Sequence, residues 1–152
     1  MQPKSAAILP PAQTAPPGSS SSILALRVYY EDTDAAGVVY YANYLKFCER
    51  ARTDWLRAVG FGQQRLAAEQ DIVFVVRAVQ ADYLQAAVLD DQLEVITTLE
   101  RLGRASLVFA QKILRGSQVI FEALITIACV GLGSRKATPI PPAVRAQFAT
   151  LV

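Results

Sequence analysis

A long amphipathic helix is the clearest element in the pattern of apolar and polar positions along the chain. Between residues 44 and 59 the apolar residues recur every three or four positions, which at 100° per residue places them on a stripe about 120° wide. Charged residues occupy the opposite side. Gly60 follows directly, and glycine commonly ends a helix. A shorter helix is predicted over residues 63–69, and a third is predicted after the prolines near residue 141.

From residue 71 onward the pattern is typical of strands instead. Segments rich in β-branched and aromatic residues cover residues 71–83, 93–100, 106–114 and 118–130, and another precedes the helix at residues 23–31. The three segments nearest the C-terminus, residues 93–100, 106–114 and 118–130, are joined by connections too short for a crossover. They are therefore predicted to pair antiparallel, with Gly116 and Ser117 as a two-residue hairpin turn. The sequence therefore predicts an α+β fold, in which one long helix packs against an antiparallel sheet of about five strands.

Proline and serine set the first part of the chain apart from the rest. Five of the eight prolines lie within the first 17 residues, and a run of serines follows. This composition is typical of flexible segments, so residues 1–22 are predicted to be a tail and residues 23–152 a single domain. The longest apolar stretch, residues 123–133, is shorter than the ~18 residues of a membrane-spanning helix. Because the N-terminus also lacks a secretory pattern, a cytoplasmic protein without a transmembrane segment is predicted.

The amino-acid composition excludes several kinds of chemistry. The chain has no histidine, which rules out Ser-His-Asp and Cys-His machinery and histidine metal ligands. Its two cysteines, Cys48 and Cys129, are too few for a four-cysteine zinc site and are expected to be buried thiols. A net charge of +2 gives little attraction to nucleic acid. We therefore predict no metal and no nucleic-acid partner, and expect any hydrolysis to depend on carboxylates, hydroxyls and backbone dipoles.

Three acidic residues, Glu31, Asp32 and Asp34, lie just before the predicted helix and are followed by Gly37. The first N–H groups of a helix have no acceptor within the helix and can stabilise an oxyanion. A carboxylate beside them combines a base or nucleophile with an oxyanion donor, as acyl transfer requires. The residues alone leave three interpretations open, namely this catalytic arrangement, a cap or turn, and part of a cation site. Asp32 is expected to be a turn residue.

The segment at residues 27–56, RVYYEDTDAAGVVYYANYLKFCERARTDWL, resembles the signature of the YbgC-type acyl-CoA thioesterases, in the 4-hydroxybenzoyl-CoA thioesterase branch of the hotdog superfamily. The resemblance extends over residues 25–148. It implies a hotdog fold, in which a curved antiparallel sheet wraps around the long central helix. It also implies a homo-oligomer, a dimer or tetramer, whose subunits pair through the strand at residues 73–83 and form the active site at their interface. Coenzyme A is then part of the substrate, and no cofactor is needed.

The resemblance also implies the residues of the active site. Asp34 is the expected catalytic carboxylate, as nucleophile or as general base on water, and the backbone N–H of Tyr41 is expected to polarise the thioester carbonyl. Gly37 and Val38, which lie between them, are expected to contact the substrate. Many YbgC relatives have histidine at position 41, whereas the hydroxybenzoyl-CoA branch also has tyrosine there, and a backbone donor does not depend on this side chain. Asn43 is expected to have a structural role.

Basic residues are expected at the mouth of the binding groove, because coenzyme A carries a 3′-phosphate and a pyrophosphate. Arg135 and Lys136, an adjacent pair, are the preferred phosphate contacts. The other candidates are each more typical of a solvated strand end or turn. They are Arg77, Arg101, Arg104, Lys112 and Arg115.

These features predict an acyl-CoA thioesterase that hydrolyses a short-chain, long-chain or aromatic acyl-CoA. The alternative is a protein that binds acyl-CoA or acyl carrier protein without turnover, as a scaffold associated with envelope maintenance. A hotdog dehydratase or isomerase is disfavoured, because such enzymes usually rely on a catalytic histidine and this chain has none.

Overall fold

The computed structural model describes residues 20–152. Five strands form one sheet: β1 (Ser21–Arg27), β2 (Ile72–Tyr83), β3 (Gln92–Leu102), β4 (Ser106–Arg115) and β5 (Gln118–Gly131). The helices of this part of the chain are α1 (Tyr41–Ala58), α2 (Gln63–Gln70) and α3 (Pro142–Ala149). The predicted tail, residues 1–22, lies outside the described residues except for its last three positions.

The strands are arranged in the order β1-β3-β4-β5-β2, and every neighbouring pair is antiparallel. β3, β4 and β5 follow one another as hairpins, as their short connections predict. At the turn between β4 and β5, Gly116 adopts a φ of 61°, a conformation that costs glycine little. The predicted α+β class is confirmed. None of the helices in residues 20–152 combines the length and the apolar character that crossing a bilayer requires.

The core lies between α1 and one face of the sheet. Phe47, Ala51 and Trp55, on the apolar stripe of α1, are all buried. The ring centroid of Trp55 lies 5.0 Å from that of Phe109 in β4 and 5.3 Å from that of Phe148 in α3. Along much of β3 and β4 every second residue is buried, which is the period expected when one face of a sheet is covered.

A buried polar network ties α1 to the middle of the sheet. Nη1 of Arg52 donates to Oε1 of Gln111 at 2.7 Å, and Nη2 donates to the carboxylate of Glu49 one turn earlier. Nε2 of Gln111 donates to Oγ1 of Thr97 at 2.8 Å and to the carbonyl of Cys48 at 3.0 Å. No buried side-chain nitrogen or oxygen in residues 20–152 lacks a partner, so the network is fully satisfied.

β2 lies at an edge of the sheet, and its outer side has no neighbouring strand within the described residues. Val75, Val76 and Val79 on this strand are 42–47% exposed. The register with β5 shifts between Val76 and Ala78, which leaves Arg77 at an irregularity of the strand. A long edge strand with exposed valines is a template for pairing with another chain. This is the strand through which the resemblance expects two subunits to pair.

The segment before α1 differs from the strand predicted over residues 23–31. β1 ends at Arg27, and Tyr30–Asp32 form a single 3₁₀ turn. The carboxylate of Asp32 accepts the N–H of Tyr29 at 2.8 Å, so a side chain competes with the strand ladder for this backbone donor. α1 begins at Tyr41, three residues before the apolar pattern that predicts it.

Candidate active site

The acidic loop, residues 31–40, folds back on itself directly before α1. The N–H of Asp34 donates to the carbonyl of Val38 at 2.9 Å, and the N–H of Gly37 donates to the carbonyl of Asp34 at 3.0 Å. Gly37 has a φ of 79°, in the region that favours glycine. Thr33 and Val39 close the loop as an isolated antiparallel bridge. The predicted bend at Gly37 is therefore a tight turn that begins at Asp34.

The carboxylate of Asp34 is exposed and has a defined orientation. Its Oδ1 accepts the N–H of Ala36 at 2.9 Å, which is an Asx turn. The turn interpretation of this aspartate is thus correct for one of its oxygens. A carboxylate offers about four acceptor sites, so a single hydrogen bond orients the group and leaves it able to accept a proton. The side chain is open to solvent and not buried against its own backbone.

Asp32 and Asn43 join the acidic loop to the first turn of α1. The carbonyl of Asp32 accepts the N–H of Tyr40 at 2.9 Å and Nδ2 of Asn43 at 2.8 Å. Both Asp32 and Asn43 are largely buried. These bonds agree with the structural roles expected for the two residues, because they hold the loop against the helix without using any atom of Asp34.

The N-terminus of α1 directly follows this loop. Tyr40, the residue before the helix, makes no side-chain capping bond, and the N–H of Asn43 donates to the carbonyl of Tyr40 at 2.8 Å, so the N–H groups of Tyr41 and Ala42 are not taken up by a side-chain cap. The aligned peptides of this long helix place a partial positive charge at the same end. The neighbouring Tyr41 phenol, the hydrogen bond between the two side chains, local desolvation and the charge of Asp34 all raise the pKa of Tyr40. The charge of Asp34 is the smallest of these four influences on Tyr40.

Three tyrosines form the surface around this helix start. Tyr40, Tyr41 and Tyr83 are between 45% and 62% exposed. The ring centroid of Tyr41 lies 4.9 Å from that of Tyr40 and 6.3 Å from that of Tyr83. The hydroxyl of Tyr83, at the end of β2, donates to the backbone carbonyl of Tyr41 at 2.9 Å. In a single chain the candidate site is therefore an open, aromatic surface beside a carboxylate.

Known thioesterases match this chain over most of its length. Residues 28–148 match the family described as the thioesterase-like superfamily. The chain belongs to this superfamily. It is 47% identical over 123 residues to the acyl-CoA thioesterase YbgC of Haemophilus influenzae, a match that covers 81% of this chain and 90% of that protein. It is 44% identical over 124 residues to the acyl-CoA thioester hydrolase YbgC of Escherichia coli O157:H7, covering 81% and 92%. The predicted family and the prediction of a thioester hydrolase are confirmed.

Solved thioesterase structures share the fold of this superfamily member. The probable thioesterase from Bartonella henselae is 35% identical, with a TM-score of 0.76 over 80% of this chain and 99% of its own. A variant of 4-hydroxybenzoyl CoA thioesterase, solved with 4-hydroxybenzoyl CoA, is 20% identical, with a TM-score of 0.79 over 86% and 99%. The second likeness concerns the fold alone. The predicted hotdog fold is confirmed.

In this thioesterase-like chain the acidic loop rests on the connection between β2 and β3. The N–H of Val39 donates to the carbonyl of Ala87 at 2.8 Å. Nη1 of Arg115 donates to the carbonyl of Ala86 at 2.9 Å and to the carboxylate of Asp91 at 2.8 Å, which holds the connection in place. Arg115, one of the candidates for a coenzyme A contact, therefore has an internal structural role.

Arg135 and Lys136 lie at the other end of the sheet from the acidic loop. Both are exposed, in the turn after β5, where the N–H of Arg135 donates to the carbonyl of Gly131 at 2.9 Å. Gly131 pairs with Ile72, the first residue of β2, whereas Tyr83, the last, contacts Tyr41 at the start of α1, directly after the acidic loop. Eleven steps of ~3.3 Å, roughly 36 Å, separate the two ends of this strand. A single chain thus does not bring the predicted phosphate contacts to Asp34.

The cysteines are not activated nucleophiles. Cys48 and Cys129 are free and buried, as expected. Burial raises the pKa of Cys48 to about 12, which the nearby guanidinium of Arg52 only partly offsets, and burial also raises the pKa of Cys129. Both thiols therefore stay protonated at neutral pH. In the described part of the chain, no three side chains of the types that bind metals are grouped. The expectation that no cofactor takes part stays a prediction.

Sequence analysis missed Tyr83 and the connection that follows it. The pattern around residue 83 indicates only the end of a strand, and Tyr83 is 42 positions from its partner Tyr41. No local motif relates two positions so far apart. The residues of the acidic loop, by contrast, are consecutive along the chain, and the turn that they form leads directly into α1.

Proposed function

We propose that this thioesterase-like protein hydrolyses the thioester of an acyl-CoA, with Asp34 as the catalytic carboxylate and the backbone N–H of Tyr41 as the oxyanion donor. The observation that carries the proposal is the position of an exposed, oriented carboxylate beside the uncapped N-terminus of α1. The names of the relatives, acyl-CoA thioesterase and acyl-CoA thioester hydrolase, support the same substrate class.

The chemistry follows from where charge develops. As the thioester carbonyl is attacked, negative charge collects on its oxygen, and an N–H at a helix start stabilises this charge. Asp34 then acts in one of two ways. As nucleophile it forms an anhydride and expels the coenzyme A thiolate, and water hydrolyses the anhydride. As general base it removes a proton from the attacking water, and the same thiolate leaves.

Gly37 and Val38 are proposed to contact the substrate next to Asp34. They form the far side of the turn in which the N–H of Asp34 donates to the carbonyl of Val38. Gly37 has no side chain and is exposed, so an extended pantetheine arm can approach its backbone closely. The proposal therefore places the thioester between this turn and the first turn of α1.

The site is proposed to be completed by a second copy of the chain. Two β2 strands that pair antiparallel about a two-fold axis place the start of one strand beside the end of the other. The exposed valines of β2 support this edge as the contact. Arg135 and Lys136 of the partner subunit would then lie toward the end of β2 at which α1 begins, as contacts for the phosphates of coenzyme A.

Mixed dimers test whether the basic pair acts from the partner. One chain carries Asp34→Asn, and the other carries Arg135→Glu with Lys136→Glu, each with a different affinity tag. If the sites are shared, one site of each mixed dimer has every group intact. We expect about half of the wild-type kcat with a wild-type KM. The control dimers have Asp34→Asn in both chains, which should be inactive, or the double glutamate change in both, which should raise KM. If the mixed dimers show the raised KM instead, the pair acts within its own chain, and if the control with the double glutamate change in both chains keeps a wild-type KM, the pair does not bind the substrate.

A substrate panel tests the activity itself. We expect thiol release, measured with a colorimetric thiol reagent, from at least one of short-chain, long-chain and aromatic acyl-CoA. Absence of turnover with all three classes, together with tight binding of acyl-CoA or acyl carrier protein, would support the scaffold alternative. That alternative is not favoured at present, because relatives at 44–47% identity are named as hydrolases. The acyl carrier protein partner and the cytoplasmic location stay predictions.

A further inference from the structure

We propose that Tyr83 is a positioning residue for the reaction, and that its hydroxyl holds the oxyanion-donating end of α1 in place. The inference rests on the proposed function, because it concerns the same backbone donors. Its basis is the 2.9 Å hydrogen bond from the Tyr83 hydroxyl to the carbonyl of Tyr41. This bond joins the end of β2 to the residue with which the helix begins.

The bond is additional to those that build the helix. A backbone carbonyl has two acceptor positions, and within a helix one of them takes the N–H four residues later. The carbonyl of Tyr41 can therefore accept the Tyr83 hydroxyl without giving up its helical bond. Tyr40 provides no side-chain cap, and the Tyr83 hydroxyl adds a hydrogen bond from the sheet to the bonds of Asn43 and Tyr44 that also hold the first turn. The Tyr83 bond is made directly to the backbone of the first helical residue, so its loss loosens that peptide.

The anchor acts on the peptide next to the one that carries the proposed donor. The carbonyl of Tyr41 and the N–H of Ala42 belong to one planar peptide unit, and the N–H of Tyr41 belongs to the unit before it. A hydrogen bond to the carbonyl of Tyr41 fixes the plane of its own peptide unit and restricts the rotation of the preceding unit, which carries the N–H of Tyr41. A donor held in place in this way favours a developing oxyanion more than a neutral carbonyl.

The Tyr83 side chain is itself held firmly. Its ring centroid lies 5.0 Å from that of Phe121 and 5.3 Å from that of Tyr44, both edge-on. Phe121 is the direct cross-strand partner of Tyr83, and both Phe121 and Tyr44 are buried. Desolvation, with smaller effects from Tyr41 and other neighbours, raises the pKa of Tyr83, so the phenol remains a protonated donor at neutral pH. A donor with little rotational freedom is suited to fix an adjacent peptide.

Tyr83→Phe tests the inference, since it removes one oxygen atom and keeps the ring. We expect kcat to fall about three- to tenfold with little change in KM, because a single neutral hydrogen bond is lost at the transition state. The matched control is Tyr30→Phe, which should leave kcat unchanged, because Tyr30 is a highly exposed tyrosine directly before the acidic loop. The thermal midpoint of both variants should stay close to that of the wild type.

A vibrational measurement separates positioning from general structural support. The carbonyl band of an acyl-CoA bound to Asp34→Asn should lie at lower frequency than in water, because the helix donors polarise it. In the double variant Asp34→Asn, Tyr83→Phe this shift should be smaller. Wild-type kcat in Tyr83→Phe, or an unchanged carbonyl band, would overturn the inference and leave the proposed function standing. An inactive wild-type protein would instead overturn the proposed function.

Discussion

Asp34→Asn is expected to lower kcat for acyl-CoA hydrolysis by at least about a hundredfold, the effect of losing a positioned base or nucleophile. Asparagine has the same shape as aspartate, and its amide oxygen can still accept the N–H of Ala36 that forms the Asx turn. The local structure should therefore persist while the charge and the basicity are lost. Steady-state thiol release, measured with the best substrate of the panel, gives kcat and KM separately.

The matched control for this prediction is Glu31→Gln. Glu31 is an exposed acid of the same loop, so its substitution removes the same charge three positions away. If catalysis depends on the Asp34 carboxylate itself, Glu31→Gln should stay within about twofold of the wild type, as expected for a screened surface charge. Equal losses in the two variants would indicate that only the overall negative charge of the loop matters. Wild-type activity in Asp34→Asn would contradict the proposed mechanism.

Arg52→Ala is expected to lower the free energy of unfolding by about 2–4 kcal/mol, the largest effect on stability that we predict for a single charged residue here. The Arg52 side chain is only 8% exposed, and it donates to Gln111 inside the core. Its removal takes away the guanidinium donor of the buried Oε1 of Gln111. The loss of the packed aliphatic stem adds to the cost. Urea unfolding followed by circular dichroism measures the change.

Arg57→Ala on the same helix provides the comparison. Arg57 also follows an acid by three residues, and its Nη1 lies 3.5 Å from Oδ1 of Asp54, but its side chain is 68% exposed. An ion pair in solvent contributes little, so we expect a change of no more than about 0.5 kcal/mol. Similar losses for Arg52→Ala and Arg57→Ala would show that the buried network does not stabilise α1 on the sheet.

The pattern of residues along the chain predicted correctly those helices and turns that depend on contacts between residues close together in the sequence. The stripe that predicted the long helix reflects the burial of Phe47, Ala51 and Trp55, which are one turn apart. The hairpin at Gly116 was predicted because the positive φ of that turn is a property of the residue itself. The predicted strand over residues 23–31 was wrong beyond Arg27, because a single side-chain bond from Asp32 redirects the backbone. Such a bond cannot be recognised from the spacing of apolar residues along the chain.

The sequence by itself determined the fold class and the acidic loop, because Asp34, Gly37 and Tyr41 lie within eight consecutive positions and the tight turn at Gly37 forms between neighbouring residues. Only the tertiary structure decided the strand order that leaves β2 at an edge, the anchor that Tyr83 provides to α1, and the placement of Arg135 and Lys136 at the opposite end of the sheet. These depend on contacts between residues that are tens of positions apart. Such contacts form only when the complete surfaces of the helix and the sheet pack against each other, so they cannot be predicted from any short segment of the chain.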